Sequence, residues 1–220
     1  MTAKEEIIKS IQKMSGSYTP YNIFSDWVQL CALTIQNSVQ IIHDEIWQQR
    51  EALYMDIIKK YDSREQKTMS HMYGMLQEVF ENEISDILGE IYMESGCGSK
   101  HTGQFFTPFH ISVLCAEVRI PKEVTEDERF RVSEPSAGGG GMIIAMARVL
   151  KDRGINYQRC MDVVAQDLDW NGVYMTYVQL SILGIKATVV QGDSLANPYI
   201  KGDYTPERIF YTPGKMGLII

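Results

Sequence analysis

Apolar residues recur at helical spacing through the first hundred positions, and beyond residue 130 the pattern changes to short apolar runs alternating with helical ones. Phe24, Val28, Cys31, Ile35, Val39, Ile42, Ile46, Leu53 and Ile57 fall on one face. They predict a single helix over 24–58, opened by Ser25 after a turn-like segment at 15–20. A second helix is predicted to open at Ser63, with Gln66 as its capping-box partner. Its stripe is Met69, Met72, Leu76, Val79, Phe80, Ile84, Ile87 and Ile91. Stripes of this kind are the packing faces of antiparallel helices rather than ligand sites. Residues 94–103, ESGCGSKHTG, read as a loop. Cys97 and His101 within it lack a second ligand pair, so no metal site is expected. Pro108 is placed to begin a helix over 109–118, and 121–128 is a charged connector.

After residue 130 the strand candidates are 130–134, 162–166, 187–191 and 208–211. Helices are predicted over 142–153 and 170–183, the second closed by Gly184. Strands separated by helices imply a parallel sheet with right-handed crossovers. The predicted organisation is a helical N-terminal region, 1–100, followed by an α/β domain, 101–220, whose sheet is small for a doubly wound fold.

The chemistry concentrates where the first strand meets its helix. The strand runs into Glu134, then into the glycine cluster of EPSAGGGGMII, then into the apolar helix. Glycines let a backbone approach a ligand closely, and a helix N-terminus presents free N–H groups to it. In such a sheet the ligand lies at the carboxyl ends of the strands. Glu134 closes the first strand there. Asp167 closes the second, where a carboxylate accepts hydrogen bonds from a ribose diol. Asp193 follows the third, in QGDSL, within reach of an adenine amino group. Two plainer readings stand beside these: Asp193 and Ser194 forming a turn or helix cap, and Asp169 capping the helix that starts at Trp170. A GxGxxG pattern with an acid about 20 residues on is missing, as is a GK[ST] P-loop, which disfavours hydride transfer and ATP hydrolysis.

Charge narrows the partners. The net charge is -7 and the pI about 5.2, whereas free-standing nucleic-acid binders show basic patches. DNA contact therefore needs a local patch or a partner subunit. Four cysteines without CxxC spacing suit reduced thiols. No apolar run approaches the ~18 residues of a membrane span, and MTAKEEIIKS lacks a signal-peptide core, so a cytoplasmic, membrane-free chain is expected.

GQFFTP, EPSAGGGGMI, AQDLD and GDSL occur in that order, with DILGEIYM ahead of them. Over residues 84–197 this arrangement resembles the N6-adenine DNA methyltransferases that form modification subunits of type I restriction systems. The resemblance implies a Rossmann-like domain, here truncated, that binds S-adenosylmethionine behind a helical N-terminal region. It implies that Gln104, Phe105, Phe106, Thr107 and Pro108 form a lid over the cofactor. It assigns the methionine portion to Glu134, Ser136, Gly138, Gly139 and Gly140, the ribose to Asp167 and the adenine to Asp193. DNA is the implied partner, reached through other subunits such as those for specificity or restriction.

One motif departs from the pattern. Adenine-N6 methylation uses a tetrapeptide, [NDS]PP[YFW], after the fourth strand. Its polar side chain and first proline carbonyl accept from the exocyclic amine, and its aromatic ring stacks on the flipped base. At that topological position this chain has Thr212, Pro213, Gly214 and Lys215, and none of its seven prolines are adjacent. Asn197-Pro198-Tyr199 is closer in composition but follows the third strand. Three readings follow: an active methyltransferase with a relaxed fourth motif, a catalytically impaired binding module acting with partner subunits or in anti-restriction, and a methyltransferase for RNA or a small molecule.

Overall fold

A computed structural model describes residues 2–97, 106–125, 127–199 and 204–218. The chain divides into two compact units, Met1–Glu83 with Ile87–Phe105, and Ile84–Asp86 with Phe106–Ile220.

The first unit is helical throughout its described residues. Its elements are α1 (Ala3–Met14), α2 (Pro20–Val39), α3 (Glu45–Ile58), α4 (Ser63–Asn82) and α5 (Ile87–Glu94). Each start has a local cause. Thr2 and Glu5 close a capping box on α1, Thr19 accepts from Asn22 N ahead of Pro20 on α2, and Asp44 accepts from Trp47 N on α3. The single helix expected over 24–58 is therefore two. Ile42 fits the periodic stripe, yet it and Ile41 are 74% and 91% exposed in the connection that Asp44 ends. The α4 cap is Asp62, boxed with Glu65, one residue earlier than the expected Ser63 and Gln66. A carboxylate with two backbone donors in reach outcompetes a hydroxyl there. The second stripe is also interrupted, between α4 and α5. Phe24, Trp27, Met72, Leu76, Ile91 and Tyr92 are buried in this unit, and Trp27 Nε1 donates to Met69 O at 3.1 Å.

The second unit is α/β. It holds α6 (Phe109–Arg119), β1 (Phe130–Glu134), α7 (Gly141–Asp152), α8 (Tyr157–Cys160), β2 (Met161–Asp167), α9 (Trp170–Ile182), β3 (Lys186–Gln191), a short 3-10 turn (Pro206–Arg208) and β4 (Ile209–Tyr211). The strand order is β1-β2-β3-β4. The first three strands are parallel, with Glu134 opposite Ala165 and Asp167 opposite Gln191, so the acidic residues collect at one edge. β3 is a continuous buried run, as a central parallel strand requires, and α9 is buried nearly all round.

β4 corrects the expectation of an all-parallel sheet: it pairs antiparallel to β3, with Thr188 opposite Tyr211. A parallel return needs a crossover of about a dozen residues or more, usually helical. Between β3 and β4 the described residues form only the 3-10 turn, so the chain comes back in the opposite direction. Among the described residues no helix is long and apolar enough to cross a membrane.

Candidate functional site

The turn from β1 to α7 is shaped by two left-handed glycines, Gly138 at φ 53° and Gly140 at φ 90°. Ala137 N donates to Gln166 O at 3.0 Å, tying the turn to β2. Gly138 N donates to Asp167 Oδ2 at 2.7 Å, and Gly138 O accepts from Thr176 Oγ1 at 2.9 Å. Asp167 thus holds the turn from 29 residues away, while its Oδ1 accepts from Asp169 N at 2.8 Å. A Cβ on Gly138 would stand 2.9 Å from Phe106 Cδ1, so the Phe106 ring lies directly against the turn. Thr107 and Pro108 are exposed and lead into α6; Gln104 and Phe105 lie outside the described residues.

Glu134 is half-buried at the end of β1, and Ser136 N donates to its Oε1 at 3.3 Å. Burial, aided by the Asp167 charge and opposed by the Ser136 hydrogen bond, raises its carboxyl above the ordinary 4.5. The charged form is the costly one, so its ionisation subtracts stability as pH rises through the raised value. A cation set against Glu134 would remove that cost. A cleft of about 210 Å³ lies between α6, β1 and α7, with Arg119, Arg131, Glu134 and Met142 in its wall.

For Asp169 and Asp193 the plainer readings describe what the side chains do. Asp169 caps α9 by accepting from Gly172 N at 3.2 Å. Exposed Asp193 accepts from Leu195 N at 2.9 Å and Ala196 N at 3.0 Å, closing a turn after β3. Asn197-Pro198-Tyr199 follows on the same edge, where Gln166 grips it: its Nε2 donates to Asn197 O at 3.1 Å and its Oε1 accepts from Tyr199 N at 2.9 Å.

Thr212, Pro213, Gly214 and Lys215 do not join this cluster. Because β4 is antiparallel, they stand at the amino end of the parallel strands. Thr212 is buried, accepts from Ala187 N at 2.9 Å and donates to Ile185 O at 2.7 Å. A Cβ on Gly214 would meet Gly184 O at 2.9 Å, and Lys215 pairs with Asp162 near the start of β2. The tetrapeptide position is a structural clasp at the edge opposite the glycine turn. Thr212→Val is accordingly expected to cost about 1–3 kcal/mol in chemical denaturation, the penalty for stranding buried backbone groups. Lys215→Ala should cost about 0–1 kcal/mol, as exposed pairs do. Neither should change ligand affinity at the glycine turn.

Two residues of the site carried no role in the sequence. Asp86, 4% exposed, sits against the glycine turn: a Cβ on Gly139 would come 2.8 Å from its Oδ1, and one on Gly141 2.9 Å from its Oδ2. Buried Gln179 donates its Nε2 to both Asp86 Oδ1 (2.8 Å) and Gly139 O (2.6 Å). The glycines at 139 and 141 leave room for this bracket. DILGEIYM was the available signal, but nothing in its spacing announced a partner on α9.

Residues 83–213 match the model of the N-6 DNA methylase family, more than half of the chain. Among solved structures, a protein assigned as a class I S-adenosylmethionine-dependent methyltransferase from Listeria monocytogenes is similar at 12% identity and TM-score 0.50, covering 90% of this chain and 55% of that one. The type I restriction-modification system methyltransferase subunit from Streptococcus thermophilus is similar at 15% identity and TM-score 0.46, covering 88% and 44%. The chain spans about half the length of these structures, and the first likeness speaks to the fold alone. No curated protein matches the sequence. The family match spans the segment that carries Asp86, the glycine turn, Asp167 and β4, and on it the chain belongs to the N-6 DNA methylase family.

Proposed function

We propose that this chain binds S-adenosylmethionine at the carboxyl edge of β1 and β2 and serves N6-adenine modification of DNA in the cytoplasm. The observation that carries the reading is the Gly138–Asp167 bond, which sets a left-handed glycine turn, a helix N-terminus and two carboxylates around one edge. The residues suit the cofactor's charge. Its amino-acid end needs N–H donors for a carboxylate and an acceptor for an ammonium, and its sulfonium adds positive charge. Glu134, strained by burial in its ionised form, gains from such a ligand, whereas a nucleoside polyphosphate would meet repulsion from Glu134 and Asp167.

In this reading Glu134, Ser136 and the glycines Gly138, Gly139 and Gly140 hold the methionine portion. Asp167 keeps the turn in shape and offers its remaining lone pairs to the ribose, Asp193 lies toward the adenine, and residues 104–108 cover the ligand. When bound, the cofactor supplies an electrophilic methyl group. Thr212–Lys215 stands at the other end of the strands and takes no part in holding the base.

Isothermal calorimetry with S-adenosylmethionine, with ATP as comparison, tests the proposal. Saturable binding of the first and none of the second is expected, with little methyl transfer to a mixed DNA pool by the chain alone. Absence of saturable binding would refute the cofactor assignment; robust transfer abolished by Asp167→Ala would place the base site in this chain. The pH dependence gives a further check. Affinity should fall as pH drops from neutral, because Glu134, raised by burial, takes up its proton above the ordinary 4.5. Glu134→Gln should weaken neutral-pH binding by about 1.5–3 kcal/mol and flatten the profile.

A further inference from the structure

The second unit turns an apolar face of α6 to solvent. Ile111, Leu114 and Val118 are 40%, 60% and 83% exposed, and Cys115 is exposed with them. Their positions, i, i+3, i+4 and i+7, form one stripe along the helix. The opposite side buries the small residues Ser112 and Ala116, and α6 packs on α7. Its orientation is fixed at the far end. Arg153, which caps α7, donates Nη1 to Ile120 O at 3.2 Å and to Pro121 O at 2.7 Å, and it pairs with Glu117. The helix therefore cannot roll its stripe inward, and a contiguous apolar row on a fixed surface marks an interaction site.

The surroundings of the stripe select what covers it. β1, the edge strand across the cleft from α6, carries exposed Arg131 and Ser133, and a charged side chain there resists the addition of a strand. A helix with an apolar row fits instead. The stripe is complementary to itself. Two copies of α6 laid antiparallel about a two-fold axis between Leu114 and Cys115 bring Ile111 of each against Val118 of the other, and Leu114 against Cys115. A longer side chain then always faces a shorter one. On the flank of the seam, His110 of one copy comes within a turn of Glu117 of the other, a donor beside a carboxylate, and the symmetry makes that contact twice.

We propose that α6 is the seam of a homodimer, in which a second copy of this chain covers the stripe with its own α6, antiparallel. One short helix per copy falls below the roughly 800 Å² per partner of a standard interface, so the pair is weak, with a Kd of about 1–100 μM. Two copies of net charge -7 repel each other at a distance. Salt screens that repulsion and leaves the apolar seam intact, so the dimer tightens as salt is added. The inference is independent of the cofactor reading, since none of the stripe residues is assigned to the ligand.

The test is sedimentation equilibrium of the full chain under reducing conditions, up to about 200 μM, at low and at moderate salt. A monomer–dimer equilibrium that tightens with salt is expected. Leu114→Glu and Val118→Glu, each at an exposed position, should weaken it about tenfold or more by setting like charges at the seam. Met55→Glu, at an exposed apolar residue on α3, should change it less than about twofold. Cross-linking supplies a second readout on the unaltered chain. Cys115 is the one exposed cysteine among the described residues, and its two copies flank the proposed axis. A short bismaleimide should therefore join two chains, and Cys115→Ser should abolish the product. A chain that stays monomeric throughout overturns the proposal, whether this face takes a different protein or nothing. A dimer that resists both glutamates, or weakens equally in the Met55 control, overturns it as well. A dimer that the bismaleimide does not link through Cys115 contradicts the antiparallel seam.

Discussion

Gly138→Val is expected to abolish detectable S-adenosylmethionine binding and to destabilise the second unit. Two penalties fall on one position. The backbone stands at φ 53°, a region that costs an L-residue about 1–2 kcal/mol and a β-branched one more. The new Cβ would also lie 2.9 Å from Phe106 Cδ1 and 3.0 Å from Phe106 Cε1. If the ring moves, the proposed lid is displaced; if the turn moves, the 2.7 Å bond from Gly138 N to Asp167 is lost. Either response dismantles the edge at which the ligand is placed. Calorimetry should give at least a hundredfold weaker binding, about 2.7 kcal/mol or more. Wild-type affinity in this variant would mean that the ligand lies elsewhere.

Asp167→Ala has the second-largest expected effect. Its two oxygens accept from Gly138 N and Asp169 N, so alanine leaves two turn donors without their acceptor in addition to removing the proposed ribose partner. Loss of a hydrogen bond to a charged group predicts about 1.5–3 kcal/mol, roughly 10–150-fold in affinity. Asp167→Asn, which retains an acceptor, should fall between. Calorimetry together with a thermal melt separates the two contributions: the turn function lowers the melting temperature of the free protein, and the ligand function appears only on titration.

Much of the second unit was legible because its signals are local. A β-rich run ending in Glu134, a glycine cluster and an apolar helix can be read within twenty residues, and β1, the turn and α7 follow them. The order of Glu134, Asp167 and Gln191 along one edge follows from parallel strands. Other features depend on contacts that periodicity does not encode. Ile42 keeps the phase of the α2 stripe across a break, so the pattern hides the break and only the Asp44 cap reveals it. β4 reads as a strand in either direction. Its direction follows the short return after β3, where the described residues form only a 3-10 turn, a weaker signal in the sequence than the alternation before it. Asp86 meets Gln179 across 93 residues, and no spacing rule connects them. Asp193 had two chemically sensible uses, and its short polar side chain made the nearest one, the turn N–H groups.

The most direct test of the account is a crystal structure of the chain grown with S-adenosylhomocysteine, the demethylated product of the proposed cofactor. The account predicts density at the carboxyl ends of β1 and β2, with the amino-acid portion against Glu134 and the 136–140 turn and the ribose hydroxyls on Asp167. Ligand density at the opposite edge beside Thr212, or a product-saturated crystal with that turn empty and Phe106 still against Gly138, would contradict it.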